Sequence, residues 1–420
     1  MIPLETVKKA TLSMSEINAF GLTVENFKKF DTLEELKKYP PSIVISECVQ
    51  NISFIQNHYK QQTLKKKEKY VTSLGIYQQL LIHPFNKNKV LRPAQIQFKN
   101  LYKPYFGEDL TNKTILVWRT GGLGDLLFIQ PNLLYIKEKY PTCKIKFSCG
   151  PQYRSMVETW DCVDEILDLP FVMSELIRSD YHILFEGVIE RCREAETINS
   201  YILFSKWIGL NLPKELLIPK QKAKIELVNE CKEILDQFKI KGKFIVVQLR
   251  ASSPIRTPSF EVWKKIINYL TNLDYQIIIT DSPEQSRNID NFINELQNKD
   301  KVFNFAKYSK NIGYTIALVS LAYMTISTDS SMIHIANSLG IKNIGIYGPF
   351  SGKVRLETYD QNLCKWIDCK DHCAPCFIHG HTPCKYAGKD GFSPCYNNLD
   401  MNEFIEKFES LNLSIKGESL

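Results

Sequence analysis

Apolar residues are scattered over the first 110 positions of this 420-residue chain and then gather into short runs. Leu33 to Lys38 predicts a short helix stopped by Pro40-Pro41, and Ile52 to Leu80 carries apolar positions at helical spacing with lysines between them. Residues 1–110 therefore read as a mainly helical accessory region. From Lys113 the pattern changes. Ile115-Leu116-Val117-Trp118 reads as a buried parallel strand, followed by a glycine-rich loop and helical spacing from Asp125 to Tyr140. Pro131 lies about two turns in, which predicts a kink or a late helix start. Lys144 to Cys149 and Tyr181 to Glu186 predict further strands.

The alternation restarts near Lys243. Strands are expected at Phe244–Leu249, Gln276–Thr280, Val302–Phe305, Met324–Ser327 and Asn343–Tyr347, and helices at Phe260–Leu270 and Pro283–Leu296. Strands alternating with helices imply parallel sheets and an α/β fold class. The expected order is an accessory region at 1–110, a first Rossmann-like domain at 111–210, and a connection at 211–242 with Pro213, Pro219 and a Lys-rich stretch. A second Rossmann-like domain at 243–363, a Cys/His-rich segment at 364–396 and a C-terminal helix and tail at 397–420 follow. Two such domains in series are expected to place a ligand cleft outside the carboxyl ends of their strands.

Composition alters this picture little. Hydrophobic content of 44% and charged content of 24% are those of a globular protein. No apolar run approaches the ~18 residues of a membrane span. The first fifteen residues have no apolar core of a secretory signal. A cytoplasmic location without disulfides is expected. Charge is less even. Residues 1–110 hold 16 Lys and Arg against 10 Asp and Glu, and from Lys60 to Lys103 ten basic residues face Glu68 alone. Such a block is either a solvated face or a contact for an anionic surface.

Candidate chemistry lies in three loops. In Thr120-Gly121-Gly122-Leu123-Gly124-Asp125, glycines 121, 122 and 124 let a strand turn sharply into a helix and let a ligand approach the backbone. Asp125 falls at or near the N-cap, and capping alone, worth about 1 kcal/mol, also accounts for an aspartate there. Dinucleotide binding by a nicotinamide-dependent oxidoreductase is disfavoured. The next strand ends Phe147-Ser148-Cys149-Gly150, without the expected carboxylate. In Ser327-Thr328-Asp329-Ser330-Ser331-Met332-Ile333-His334, hydroxyls at a helix start suit a phosphate, and His334 follows Ser330 by one helical turn. A capped helix with a core histidine is the plainer account. In Gln248–Arg256, Ser252 and Ser253 precede Arg256, which suits a phosphate as well as a solvated loop.

Taken together, Arg119 to Asp125 with Gln130-Pro131, Ser252-Ser253 with Arg256 and Trp263, and Thr328-Asp329-Ser330-Ser331 with His334-Ile335-Ala336, Leu339-Gly340 and Gly345-Ile346-Tyr347-Gly348-Pro349 resemble glycosyltransferase family nine, the ADP-heptose:lipopolysaccharide heptosyltransferases and their relatives. The resemblance covers roughly residues 113–410. It implies a GT-B fold, two Rossmann-like domains facing a cleft, and inverting transfer from a nucleotide-diphosphate sugar with no cofactor required for catalysis. By the same resemblance Asp125 is the base that deprotonates the acceptor hydroxyl. Asp329, Ser330, Ser331 and His334 hold the donor, Ser252, Ser253 and Arg256 complete its phosphate site, and Glu284 contacts the nucleoside. The chain departs from the family in having Ser252-Ser253 and Arg256 where threonines and a lysine are usual, and Ser331 where glycine is frequent. These changes keep the phosphate chemistry and leave the donor's identity open.

Six of the twelve cysteines fall between Cys364 and Cys395, with His372, His379 and His381 among them. The Cys373-Ala374-Pro375-Cys376 spacing is that of a zinc knuckle. A structural zinc on Cys369, Cys373, Cys376 and Cys384 competes with free, partly buried thiols. The resemblance favours a bacterial surface glycan as acceptor. Tyr70, Tyr77, Phe85, Phe98 and Tyr102, interleaved with the lysines, make DNA the runner-up, for a viral enzyme acting on hydroxylated bases. A non-catalytic nucleotide-sugar binding protein is a further alternative, disfavoured by retention of Asp125, Asp329 and His334.

Overall fold

The computed structural model describes residues 12–39, 42–56, 60–82, 91–378, 384–388 and 391–413. The chain forms two compact units, Met1–Ala195 with Ser200–Leu212, and Glu196–Asn199 with Pro213–Leu420.

The first unit has two sheets of four strands and a hairpin. Strands β1 (Ile43–Cys48), β4 (Lys69–Ser73), β5 (Leu91–Pro93) and β9 (Phe171–Val172) form one sheet in the order β5-β1-β4-β9, with antiparallel pairs throughout. Strands β2 (Ile52–Gln56) and β3 (Lys60–Leu64) form the hairpin. The expectation of a mainly helical region is thus corrected. Ile43, Val44, Ile45, Val71 and Thr72 are β-branched, lose rotamer freedom in a helix and fit a pleated surface. The pairing of Val71 with Phe171, a hundred residues away in sequence, leaves no mark on local spacing.

Strands β6 (Thr114–Trp118), β7 (Lys144–Cys149), β8 (Glu165–Asp168) and β10 (Tyr181–Leu184) form a parallel sheet in the order β10-β6-β7-β8. Trp118 is fully buried and meets Phe98 and Phe171 edge-on, at 5.8 and 4.9 Å between ring centroids. It joins the antiparallel layer and the parallel sheet in one core, so the region before Lys113 is not a separate module. The helix after β6 runs Leu123–Lys139 and contains Pro131 rather than starting after it.

In the second unit β11 (Phe244–Gln248), β12 (Gln276–Ile279), β13 (Val302–Asn304), β14 (Met324–Thr328), β15 (Lys342–Tyr347) and β16 (Cys364–Asp368) form one parallel sheet in the order β13-β12-β11-β14-β15-β16. Counted from its first strand this is 3-2-1-4-5-6, the order of the dinucleotide-binding fold. Two boundaries are corrected. The supposed connection contains the helix Ile225–Gln237, which packs within this unit, with the Cys231 thiol 3.7 Å from the Tyr314 carbonyl. The Cys/His-rich segment begins with a core strand, β16, whose alternating Cys364 and Trp366 disguise it in the sequence.

Candidate active site

In each unit the sheet order reverses beside its first strand. Ligands of open α/β sheets bind where neighbouring strands lead away to opposite sides. In the first unit that point lies between β6 and β10, and the loop Arg119–Gly124 leaves β6 there. Asp125 is not the N-cap; that is Gly122, and Asp125 is the third helical residue. Its Oδ2 accepts from the Gly122 N–H at 3.1 Å, which anchors the helix start, and from Arg119 Nη2 at 2.8 Å. Gly121 has a reason to be glycine. A Cβ there would lie 2.6 Å from both Arg119 Nε and Asp125 Oδ2.

Arg119 is the centre of this half-site. Its side chain is 1% exposed, 5.5 Å from the Phe204 ring centroid, and also donates to Glu190 Oε1 at 2.6 Å. Burial works against its charge, but Asp125, Glu190 and Glu186 outweigh it and hold the guanidinium firmly protonated. Glu186, just past β10, accepts from the Thr120 N–H and from the Thr120 hydroxyl at 2.8 Å. Burial pushes its carboxyl above the ordinary value, against the pull of Arg119. Sequence reasoning missed Glu186 and Glu190. The available signal was a carboxylate directly after a strand that neighbours the glycine-rich loop.

In the second unit the reversal lies between β11 and β14. The loops after these two strands carry most of the expected donor residues. Arg256 donates to the Asp329 carbonyl at 3.0 Å and the Ser252 hydroxyl at 3.0 Å, and Nη1 stands 3.6 Å from Asp329 Oδ2. Ser330 caps the helix Ser331–Ser338 through the Met332 N–H and donates to Gln248 Oε1 at 2.7 Å. Ser252, Arg256, Asp329, Ser330 and the start of that helix at Ser331 thus come together. Three expectations fare differently. Ser253 is buried, with its carbonyl accepting from the Thr257 hydroxyl. His334 is 4% exposed, with Nδ1 at 2.8 Å from the Tyr359 hydroxyl rather than beside Ser330. Glu284 is exposed on the short turn Pro283–Gln285 beyond β12.

Asp281, at the mouth of the second strand, occupies the place where such sheets put the carboxylate that binds ribose hydroxyls. Burial raises its carboxyl above the usual range, opposed by the Ser282 N–H and by Arg250. Tyr396 was also missed. It is fully buried and bonds the Arg256 carbonyl at 3.1 Å and the Thr328 hydroxyl at 3.2 Å, so it ties the two donor loops together.

Tyr396 follows directly on the cysteine cluster. Cys373, Cys376, Cys384 and Cys395 are electrostatic neighbours. Burial and the other three thiols push Cys395 up to about 12. Cys369 is buried beside Cys395, and burial raises it further still. Among the described residues no three such side chains converge closely enough to hold an ion. His372 is bonded to Asp371, while His379 and His381 lie outside the described residues.

Among the described residues the basic block shows no exposed stacking platform. Tyr70, Tyr77 and Phe98 are buried, and Tyr102 stacks on His182 at 5.9 Å. Phe85 lies outside the described residues. Lys69 and Arg92 pair with Glu47, and Lys65-Lys66-Lys67 form the exposed turn between β3 and β4. Among the described residues these aromatics belong to the core and the lysines of the turn to its surface, so they lend the DNA reading no support. Among the described residues no helix is long and apolar enough to cross a membrane.

The two units carry the Rossmann-like sheets of the GT-B fold. Residues 197–386 match the model of glycosyltransferase family 9 (heptosyltransferase), the family the motifs resemble. Three solved structures share the fold. The family 9 glycosyltransferase of Veillonella parvula is 13% identical with a TM-score of 0.57, over 73% of this chain and 99% of that one. ADP-heptose lipopolysaccharide heptosyltransferase II of E. coli is 14% identical with a TM-score of 0.54, over 72% and 100%. The iron-containing dodecameric glycosyltransferase TibC of enterotoxigenic E. coli is 11% identical with a TM-score of 0.51, over 92% and 98%. That last match is long enough to reach into the region before Lys113. No curated protein matches.

Proposed function

We propose that this glycosyltransferase moves a sugar from a nucleotide-diphosphate donor to a hydroxyl of a bacterial surface glycan, with inversion and without a catalytic metal. The observation that carries this reading is the placement of a carboxylate–arginine cluster and an arginine–serine–helix cluster, each at the reversal point of its own sheet. Asp125 takes the proton of the acceptor hydroxyl as its oxygen attacks the anomeric carbon. The bond to the diphosphate breaks. Arg256, the Ser252 and Ser330 hydroxyls and the N–H groups opening the helix at Ser331 hold the departing charge. Asp281 and Glu284 take the nucleoside end. The coarse likeness to heptosyltransferases supports a heptose or related sugar. The test is mass spectrometry of lipopolysaccharide-core acceptors incubated with ADP-heptose and other nucleotide sugars. Transfer abolished in Asp125→Asn with donor binding kept is the expected result; near-normal transfer in that variant refutes the assignment.

We also propose that Cys373, Cys376 and Cys384, with Cys395 or Cys369 as fourth ligand, hold a structural metal ion. The Cys373-Ala374-Pro375-Cys376 spacing, with Cys384 and Cys395 as electrostatic neighbours of that pair, supports the reading. Zinc suits four thiolates, and so does iron. The metal leaves the transfer chemistry untouched and fixes the segment on which Tyr396 stands. Elemental analysis should find about one zinc or iron per chain; a metal-free, fully folded protein rules the site out.

A further inference from the structure

Asp125 and Glu190 bind the same nitrogen, Arg119 Nη2, at 2.8 and 2.6 Å. One guanidinium therefore holds two carboxylates within a few ångströms of each other, with a third, Glu186, behind them. Glu190 is about half exposed and stands in an irregular loop that β10 alone does not fix. The N-terminal layer fixes it. Arg191, the next residue, donates to the Glu25 carbonyl at 2.6 Å and the Lys28 carbonyl at 3.2 Å, and its guanidinium lies 5.4 Å from the Phe30 ring centroid. Phe30 in turn bonds the backbone of Arg191 and Arg193 at 2.7 and 2.9 Å. Glu194 receives the Leu33 N–H at 2.9 Å.

We propose that Glu190 is a positioning residue that sets the charge environment of Asp125, and that residues 25–33 of the N-terminal layer hold it in place. Arg119 alone would stabilise the Asp125 carboxylate and make it a poor proton acceptor. A second carboxylate on the same nitrogen offsets that pull, so Asp125 is held in position and keeps its affinity for a proton. Arg119 from the end of β6 bonds Asp125, Tyr153 from the turn after β7 senses its charge, and Glu186 and Glu190 from the segment after β10 stand on the same arginine. Among these Glu190 is the carboxylate bonded to the same nitrogen as Asp125. The inference rests on the reading of Asp125 as the base only for its consequence in transfer.

The test needs neither donor nor acceptor. The full-length protein, labelled with carbon-13 at the aspartate carboxyl, is titrated by NMR, with the Asp125 signal assigned by its loss in Asp125→Asn. In Glu190→Gln the Asp125 midpoint should fall by about one pH unit, the effect of removing one charge at ~5 Å in a half-solvated setting. Glu190→Asp should restore most of it. An Asp125 midpoint unchanged in Glu190→Gln overturns the proposal. If that variant is unfolded by circular dichroism, Arg191→Lys decides. It loses the forked grip on the Glu25 and Lys28 carbonyls, and an Asp125 midpoint equal to wild type then overturns the proposal. Either failure leaves the base assignment standing, because that assignment is tested by transfer in Asp125→Asn.

Discussion

At the scale of the residue, both half-sites turn on arginines whose planar geometry is used in full. Arg256 spans Ser252 and Asp329 from opposite edges of its guanidinium. A lysine offers a point charge and cannot hold both while meeting a phosphate. Arg256→Lys should therefore raise the donor KM about tenfold, a loss of ~1.4 kcal/mol, with kcat changed less. Titration calorimetry with a nucleoside diphosphate checks it, and unaltered affinity shows that a point charge suffices at this position. Gly121 makes the complementary case in the first unit. The methyl of Gly121→Ala must push aside the Arg119–Asp125 pair, since a contact of 2.6 Å is not tolerated. Transfer should fall at least tenfold through kcat while donor affinity stays within twofold of wild type. A variant with normal kcat would show that the pair can relax without cost.

Elements were legible where one sheet buries both faces. Strands β11 to β15 of the second unit are short runs of three to six residues, largely buried, and their expected positions hold to within one residue, whereas β16 was missed. Strands β1 to β4 were not legible. The pairing of β4 with β9 is non-local, and lysines between the apolar positions from Ile52 to Leu80 imitate the polar face of a helix. The loop carrying Asp125 was readable as a turn, but its partners Arg119, Glu186 and Glu190 come from two strand ends that only the sheet brings together. One element carries a pH prediction. His182 on β10 is 1% exposed, receives the Lys103 N–H on Nδ1 at 2.9 Å and so presents Nε2–H to the Leu176 carbonyl at 2.8 Å. Burial lowers its folded value from 6.5 to about 4. The unfolded chain therefore takes up a proton first as pH falls. The stability this neutral histidine supplies is complete above pH ~6.5 and drains away towards pH ~4, by up to about 3 kcal/mol. The melting temperature of the first unit should drop more between pH 7 and 4.5 in wild type than in His182→Asn. Equal drops would show that His182 is not the group responsible.

At the scale of the whole molecule, the residues read as donor-binding all belong to the second unit, and the residues read as the base and its supports all belong to the first. The family match covers residues 197–386, so the Asp125 loop lies outside it. A ligand that binds one folded unit raises the stability of that unit by mass action, about 2.7 kcal/mol at a hundred times its Kd. ADP and other nucleoside diphosphates should accordingly raise the melting transition of the second unit and leave that of the first in place, as read by differential scanning calorimetry. Arg256→Lys should shrink that shift and Asp125→Asn should not. NAD tests the alternative that a 3-2-1-4-5-6 sheet invites. A dinucleotide needs a glycine-rich turn directly after the first strand of that sheet, and β11 is followed instead by Leu249-Arg250-Ala251-Ser252-Ser253. NAD should leave both transitions unmoved. A shift with NAD larger than with ADP would return the second unit to the dinucleotide binders, whereas ADP acting alone ties the sheet's reversal point to a sugar donor.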